Sequence, residues 1–214
     1  AAQLNVSADE VALVRNTSEA NNIINNGLAL ERGDEVIVWD ENHPTNHVAW
    51  QVRAARFGFL VKKVPTPASV TADTLIEAFV SQFTDRTRVL ALTHVSNVSG
   101  IKLPVAELVA AAHARGIFVH LDGAQTWGAM ELDLQALGVD AFTASAHKWY
   151  MGPKEVGLLY LKATQQARVW PGVVASGWGT GVETRQSGAR KFESLGQRDD
   201  AALAALGLTA RIHD

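Results

Sequence analysis

The sequence predicts an α/β fold built on a doubly wound, mostly parallel sheet. Short apolar runs alternate with longer segments in which apolar residues recur at helical spacing. Two of these runs lead into reactive side chains: the run at 117–121 is followed by Asp122, and the run at 141–145 is followed by Lys148. Ligands of open α/β sheets bind beyond the carboxyl ends of the strands, so this edge is the predicted functional site.

The boundaries of the helices and strands are predicted from residues that typically begin or end such elements. A strand at 11–14 leads to a helix that Asn16 caps, with Glu19 three residues later completing a capping pattern. Further strands are expected at 35–39, 59–64, 88–94, 117–121, 141–145 and 156–161. Helices are expected from about 45 to 57, 71 to 83 and 104 to 115. Gly58 ends the first of these helices, and the last one starts at Pro104 and ends at Gly116. Strands separated by such helices indicate parallel pairing.

The pattern weakens after residue 161. Glycine and proline at 171–172 and 176–181 predict a loop, and Asp199-Asp200 is expected to cap a final Ala/Leu-rich helix. We therefore expect one large domain over 1–198. Residues 199–214 are expected to begin a helix that leads to a C-terminal domain outside this sequence, which makes the chain a fragment.

Composition narrows the class of protein. The 214 residues carry a net charge of −3, are 47% hydrophobic and include no cysteine. Without a basic stripe or a long apolar run, neither nucleic acid nor a membrane is an expected partner. The absence of cysteine fits a reducing, cytoplasmic location. The spacing of the histidines suggests no metal site.

Asp122 and Lys148 together predict pyridoxal phosphate (PLP) chemistry. A lysine amine can hold the PLP aldehyde as a Schiff base, and a carboxylate can keep the pyridine nitrogen protonated. A buried, unpaired carboxylate at the end of an apolar strand is costly, and a pyridinium would supply its missing cation. The alternatives are a surface lysine, as expected for Lys154, and a solvent-facing aspartate that caps the next helix.

Three blocks at strand ends carry a family resemblance: HVSNVSG at 94–100, LDGAQ at 121–125 and SAHK at 145–148. Over about 11–198 the chain resembles the large, PLP-binding domain of fold-type-I enzymes in the class V aminotransferase group. That group includes cysteine desulfurases, selenocysteine lyases, kynureninases and isopenicillin N epimerase-like proteins. The resemblance implies that Lys148 is the Schiff-base lysine, that Asp122 pairs with the ring nitrogen and that the small domain is missing.

The resemblance also assigns the polar groups around the cofactor. Gln125 and Asn97 would contact the ring hydroxyl, although ordinary loop hydrogen bonds are the alternative for both. Thr17 and Ser18, at the start of a helix, would bind the phosphate together with Ser145. Helix capping is the simpler explanation of Thr17 and Ser18, and both roles are compatible.

Two histidines and a later segment complete the expected site. His43 aligns with the histidine that stacks on the PLP ring; a loop histidine without a role is the alternative. His147 would tune Lys148 or serve structure alone. Gly196 and Gln197 would contact the phosphate of a neighbouring subunit, which implies a homodimer; a strand and helix cap within one subunit is the alternative.

Function is expected to be PLP-dependent chemistry at the α-carbon of an amino acid. The stretch FESLGQRD at 192–199 is similar to isopenicillin N epimerase-like proteins, whereas desulfurases typically carry Phe-Glu-x-Gly-Thr there. A cysteine desulfurase or selenocysteine lyase is the first alternative, since the family's nucleophilic cysteine and its substrate-carboxylate arginine belong to a segment that this sequence does not contain. A non-catalytic PLP-binding fragment or interaction protein is the alternative of another class.

Overall fold

The computed structural model describes residues 1–174 and 188–213. A seven-stranded sheet runs through it in the order β1-β7-β6-β5-β4-β2-β3. The strands are β1 (Val11–Val14), β2 (Glu35–Trp39), β3 (Leu60–Val64), β4 (Thr87–Thr93), β5 (Phe118–Asp122), β6 (Ala141–Ser145) and β7 (Gly157–Leu161). The helices are α1 (Thr17–Gly27), α2 (Val48–Phe57), α3 (Ala72–Val80), α4 (Val105–His113), α5 (Leu134–Leu137) and α6 (Asp200–His213).

The expectation of a mostly parallel sheet is confirmed. The pairs β2–β3, β2–β4, β4–β5 and β5–β6 are parallel, whereas β7 is antiparallel to both β6 and β1. The connection over 146–156 contains no helix. Without a crossover, β7 returns beside β6 in the opposite direction. The carboxyl ends of β5 and β6 therefore lie side by side.

Helices cover both faces of the sheet, as the doubly wound prediction requires. Alternate strand residues point to opposite faces, and β2 shows this clearly: Ile37 and Trp39 join one apolar cluster, and Val36 and Val38 join the other. The second cluster includes Ala20 and Ile24 of α1 together with Trp50 of α2. Side chains alternate between the two faces along β5, and that of Asp122 lies on the face of the sheet that α1 covers.

Several boundaries differ from the sequence prediction. A 3-10 turn at Pro44–Asn46 precedes α2, which begins at Val48 rather than near residue 45. Pro104 is the residue before α4, not its first helical residue. The short helix α5 was not predicted; Asp133 Oδ1 accepts from the amide of Ala136 at 2.8 Å, and Gly138 ends the helix with a φ of 73°.

The expected final helix is present, with Asp199 Oδ1 accepting from the amides of Ala201 and Ala202. Whether it leads to another domain stays a prediction, as does the domain division at 198. The predicted loop at 176–181 lies outside the described residues. Within 1–174 and 188–213, no helix has the length and apolar character to cross a bilayer, and no cluster of His, Asp or Glu is arranged to hold a metal ion.

Candidate active site

Asp122 is the buried centre of the site. It is the last residue of β5, and only 1% of its surface is exposed. Its Oδ2 accepts from Nδ2 of Asn21 at 2.8 Å, and its Oδ1 accepts from the amide of Ala124 at 3.0 Å. Both carboxylate oxygens thus have a donor, but no direct ion pair to Asp122 exists among the described residues.

The electrostatic balance at Asp122 is unfavourable to its charge. Burial raises the pKa of this carboxyl above its ordinary value, against hydrogen bonds from Asn21 and Ala124 that lower it. The charges of Lys148 and His43 also act to lower the pKa of Asp122. A cation placed against the free side of this carboxylate would relieve the imbalance.

Lys148 lies in the loop that leaves β6 and is partly buried. Its neighbour His147 is exposed; partial burial and the charges of Lys148 and Lys154 lower the pKa of His147. Lys154, further along the same loop, is exposed. Lys148 thus follows the strand that pairs with β5 next to Asp122, and it is less exposed than His147. A tuning role of His147 stays a prediction.

Two hydroxyl groups meet at the start of α1. Ser145 Oγ accepts from the amide of Thr17 at 2.7 Å, and the hydroxyls of Ser145 and Thr17 are also 2.7 Å apart. Ser18 follows and is partly buried. Hydroxyls and a helix N-terminus form a suitable anion site, and helix capping and phosphate binding are compatible here.

The predicted cap of α1 is confirmed in part. Asn16 Oδ1 accepts from the amide of Glu19 at 2.9 Å. The carboxylate of Glu19 does not complete a capping box with Asn16; it accepts from the amide and the guanidinium of Arg15 instead. The salt bridge to Arg15, at 2.8 Å, draws this carboxylate away from the backbone of the cap.

His43 is partly buried beside the site, just before the 3-10 turn. Its Nδ1 accepts from the amide of Thr45 at 3.3 Å and is 2.9 Å from the hydroxyl of the same residue. Thr45 Oγ1 in turn is 3.3 Å from Nδ2 of Asn21, the residue bonded to Asp122. His43 is thus connected to the carboxylate of Asp122 through the hydrogen bonds of Thr45 and Asn21.

The two expected contacts of the ring hydroxyl have different surroundings. Gln125 is partly buried, and its Oε1 accepts from the indole Nε1 of Trp149 at 2.9 Å. This bond occupies the carbonyl oxygen and leaves the amide group of Gln125 as the donor for a ligand. Asn97 lies in the exposed turn after β4. The structure does not bring Asn97 into contact with the other site residues it describes.

Gly196 and Gln197 are exposed, and Gly196 has a φ of 83°. This positive φ fits glycine better than other residues. Their expected contact with a neighbouring subunit's phosphate stays a prediction, as does the homodimer.

Sequence reasoning missed three polar residues of the site. Asn21 and Thr143 are almost completely buried, and the hydroxyl of Thr143 donates to Oδ1 of Asn21 at 2.6 Å. Trp149 orients Gln125. The available signal was the position of Asn21, which lies one turn after Thr17 and so on the same helical face. A polar side chain on that sheet-facing side needs a buried partner.

Comparison with known proteins assigns the chain to a family. Residues 1–198 match the family model described as aminotransferase class-V. The chain therefore belongs to the class V aminotransferase family of PLP-dependent enzymes.

Cysteine desulfurases are among its relatives. The chain is 40% identical over 171 residues to cysteine desulfurases of Yersinia pseudotuberculosis and Yersinia pestis, a match that covers 78% of this chain and 41% of those proteins. The chain thus spans less than half the length of these curated relatives.

Solved structures agree with the fold. The Escherichia coli cysteine desulfurase CsdA superposes with a TM-score of 0.86 at 29% identity, covering 99% of this chain and 54% of CsdA. The cystine C–S lyase C-DES, in complex with its product cysteine persulfide, has a TM-score of 0.82 at 28% identity and covers 98% of this chain and 58% of the lyase. A C-DES variant holds glycine linked covalently to PLP.

The residues of this chain fit PLP. A buried carboxylate whose pKa burial raises, with no direct ion pair among the described residues, suits the protonated nitrogen of the pyridine ring. Ser145 and Thr17 present hydroxyls at a helix N-terminus for the phosphate. Lys148 follows Ser145 by three residues in the loop beyond β6, at the same edge of the sheet as Asp122 and the start of α1, and its amine is the group that would hold the aldehyde. The described residues therefore agree with the cofactor that the sequence predicts, PLP.

Proposed function

We propose that this chain is the cofactor-binding part of a PLP-dependent lyase that cleaves the C–S bond of a sulfur-containing amino acid such as cysteine. The observation that carries the proposal is the buried carboxylate of Asp122, without an ion pair among the described residues, at the end of a strand beside the one that leads to Lys148. The substrate class rests on the similarity to cysteine desulfurases and to a cystine C–S lyase. These relatives favour the lyase alternative over the epimerase that the stretch at 192–199 had suggested.

PLP, when bound, supplies an aldehyde that condenses with amines and a ring that withdraws electrons from the α-carbon of an amino acid. Lys148 would hold that aldehyde and, once released by the substrate amine, would carry a proton to or from the α-carbon. Asp122 would keep the ring nitrogen protonated, which requires the carboxylate to stay charged in spite of its burial.

The other residues would position the ring. Thr17 and Ser145, with Ser18 beside them, would fix the phosphate at the start of α1. The imidazole of His43 would lie against the ring face, and the amide of Gln125 would donate to the ring hydroxyl. These contacts orient the cofactor so that the α-carbon faces Lys148.

The test is a direct assay of sulfur release. The full-length protein with PLP is incubated with L-cysteine in the presence of a reductant and, separately, with L-cystine without one, and sulfur released from the substrate and the amino-acid products are quantified. We expect release of sulfur that disappears in Lys148→Ala and persists in Lys154→Ala, because Lys154 is an exposed lysine of the same loop.

Three other outcomes contradict the lyase. Exchange or inversion at the α-carbon without sulfur release would support the epimerase. A PLP adduct without turnover of any amino acid would support the non-catalytic alternative. Absence of a borohydride-fixed adduct on the peptide that contains Lys148 would remove the enzyme interpretation itself.

We also propose a cytoplasmic homodimer in which Gly196 and Gln197 reach the partner's phosphate. Their exposure is compatible with such a contact. Sedimentation of the full-length protein and fractionation of the cells that produce it test the two parts, and a monomer or a secreted protein would contradict them.

A further inference from the structure

A continuous set of buried hydrogen bonds surrounds Asn21. Its Nδ2 contacts Oδ2 of Asp122 at 2.8 Å and the hydroxyl of Thr45 at 3.3 Å, and its Oδ1 accepts from the hydroxyl of Thr143 at 2.6 Å. Asn21 and Asp122 are each 1% exposed and Thr143 is fully buried. One amide on α1 thus contacts β5, β6 and the turn that carries His43.

The direction of each hydrogen bond follows from the chemistry of the groups. A carboxylate only accepts, so Asn21 must turn its NH2 group towards Asp122. Its carbonyl oxygen then faces Thr143, whose hydroxyl donates to it. Since both N–H groups of Asn21 point away from Thr143, the second one faces Thr45.

The branch through Thr45 continues to His43. A Thr45 hydroxyl that accepts from Asn21 has its own hydrogen free to donate to Nδ1 of His43, 2.9 Å away. The amide of Thr45 donates to the same nitrogen. Nδ1 of His43 can accept from these two donors in the tautomer that carries its proton on Nε2.

We propose that Asn21 is a positioning residue that orients Asp122 and, through Thr45, His43 towards the PLP ring. This inference deepens the proposed function and rests on its cofactor, but it does not depend on the substrate. Asn21 would act on the ring nitrogen only through Asp122, by keeping one oxygen engaged and directing the other side of the carboxylate to the ring.

Two ionisable side chains outside α1 affect the charge of Asp122. Lys148, beyond β6, lowers the pKa of this carboxyl, and His43, before the 3-10 turn, does so when it is protonated. His120 lies on the same face of β5, with Nε2 3.4 Å from the hydroxyl of Thr143; burial lowers its pKa to about 3, so it is neutral.

The test uses Asn21→Leu in the full-length protein, with Asn26→Leu as the matched control because Asn26 is an exposed asparagine of α1. The carboxyl carbon of Asp122 is titrated by NMR before and after addition of PLP. Loss of a hydrogen bond to the charged form is expected to raise the proton affinity of Asp122 and weaken PLP binding, each about ten-fold. Asn26→Leu should change neither.

A purely structural role of Asn21 gives a different result. It would lower the thermal midpoint and leave the titration of Asp122 unchanged, and that outcome overturns the proposal. If Asn21→Leu does not fold, Asn21→Ala provides the same comparison with a smaller side chain. The titration without PLP decides the role of Asn21 even if the wild-type protein cleaves no C–S bond, which separates this inference from the proposed function.

Nitrogen NMR of the imidazoles tests the second branch. In the wild-type protein we expect the proton of neutral His43 on Nε2, and in the Asn21 variants a lower population of that tautomer. An unchanged tautomer population would overturn the branch through Thr45.

Discussion

The amide of Thr17 donates to the hydroxyl of Ser145 at 2.7 Å, although the two residues are 128 positions apart in the chain. The contact joins the start of α1 to the end of β6. It places the helix N-terminus, two hydroxyl groups and the loop of Lys148 at one edge of the sheet. An anion such as the phosphate of PLP would be held at this edge by the helix N-terminus and the two hydroxyls.

Ser145→Ala is therefore expected to weaken PLP binding. The variant loses a hydroxyl that we propose binds the phosphate, and hydrogen bonds to charged groups contribute enough for roughly a ten-fold rise in Kd. A fluorescence titration with PLP measures this change. Ser81→Ala, in an exposed serine at the end of α3, is the control and should bind PLP as the wild type does. Equal affinities of the two variants would place the phosphate elsewhere.

Trp149 is expected to act on the cofactor through Gln125. Trp149→Phe keeps an aromatic ring but removes the N–H that donates to Oε1 of Gln125. We expect PLP binding to weaken by about three- to ten-fold, the usual range for one hydrogen bond. In a double-mutant cycle with Gln125→Ala, the two losses should be strongly non-additive, because both changes remove the same oriented amide. Additive losses would show that the indole acts independently of Gln125.

The edge that carries the site could be predicted because it depends on strand ends alone. Asp122 and Ser145 close two apolar runs, and parallel neighbours bring their ends together. The direction of β7 was not predicted, because it depends on a loop that folds without a helix, with the amide of Ala146 bonded to the carbonyl of Val156. Such tertiary contacts leave no periodic signal in the sequence.

The polar partners inside the site were harder to predict than its charged residues. Lys148 and Asp122 have chemistry that suggests a role by itself. Asn21 acquires a role only because α1 packs its polar side chain against β5 and β6. Trp149, with 57% of its surface exposed, resembles a surface residue until its bond to Gln125 is known.

Acidification is expected to destabilise the protein through His120. Full burial lowers the pKa of His120 to about 3 from its ordinary 6.5, so the unfolded chain binds a proton that the folded chain does not. The contribution to stability is complete above pH 6.5 and is lost as the pH falls towards 3. One such group changes the unfolding free energy by about 1 kcal/mol per pH unit in this window.

Denaturant unfolding at a series of pH values checks this expectation. His120→Gln should reduce the dependence of stability on pH between about 4 and 6 by up to that slope. Above pH 7 the dependence should match the wild type, since His120 is neutral in both states there, and this range is the internal control. A variant with the same slope in the acidic range would show that His120 is protonated in the folded protein.

Gly123→Ala is expected to destabilise the protein at the site itself. A methyl group at residue 123 would overlap the ring of Phe142, which is fully buried. Overpacking of this kind costs about 1–3 kcal/mol. The backbone would also shift next to Asp122, so PLP binding should weaken together with stability.

Gly207→Ala, in α6 with no atom near the added methyl group, is the control and should be neutral or stabilising by up to about 1 kcal/mol. Thermal unfolding of both variants measures the difference. Equal thermal midpoints of the two variants would mean that the ring of Phe142 can move aside.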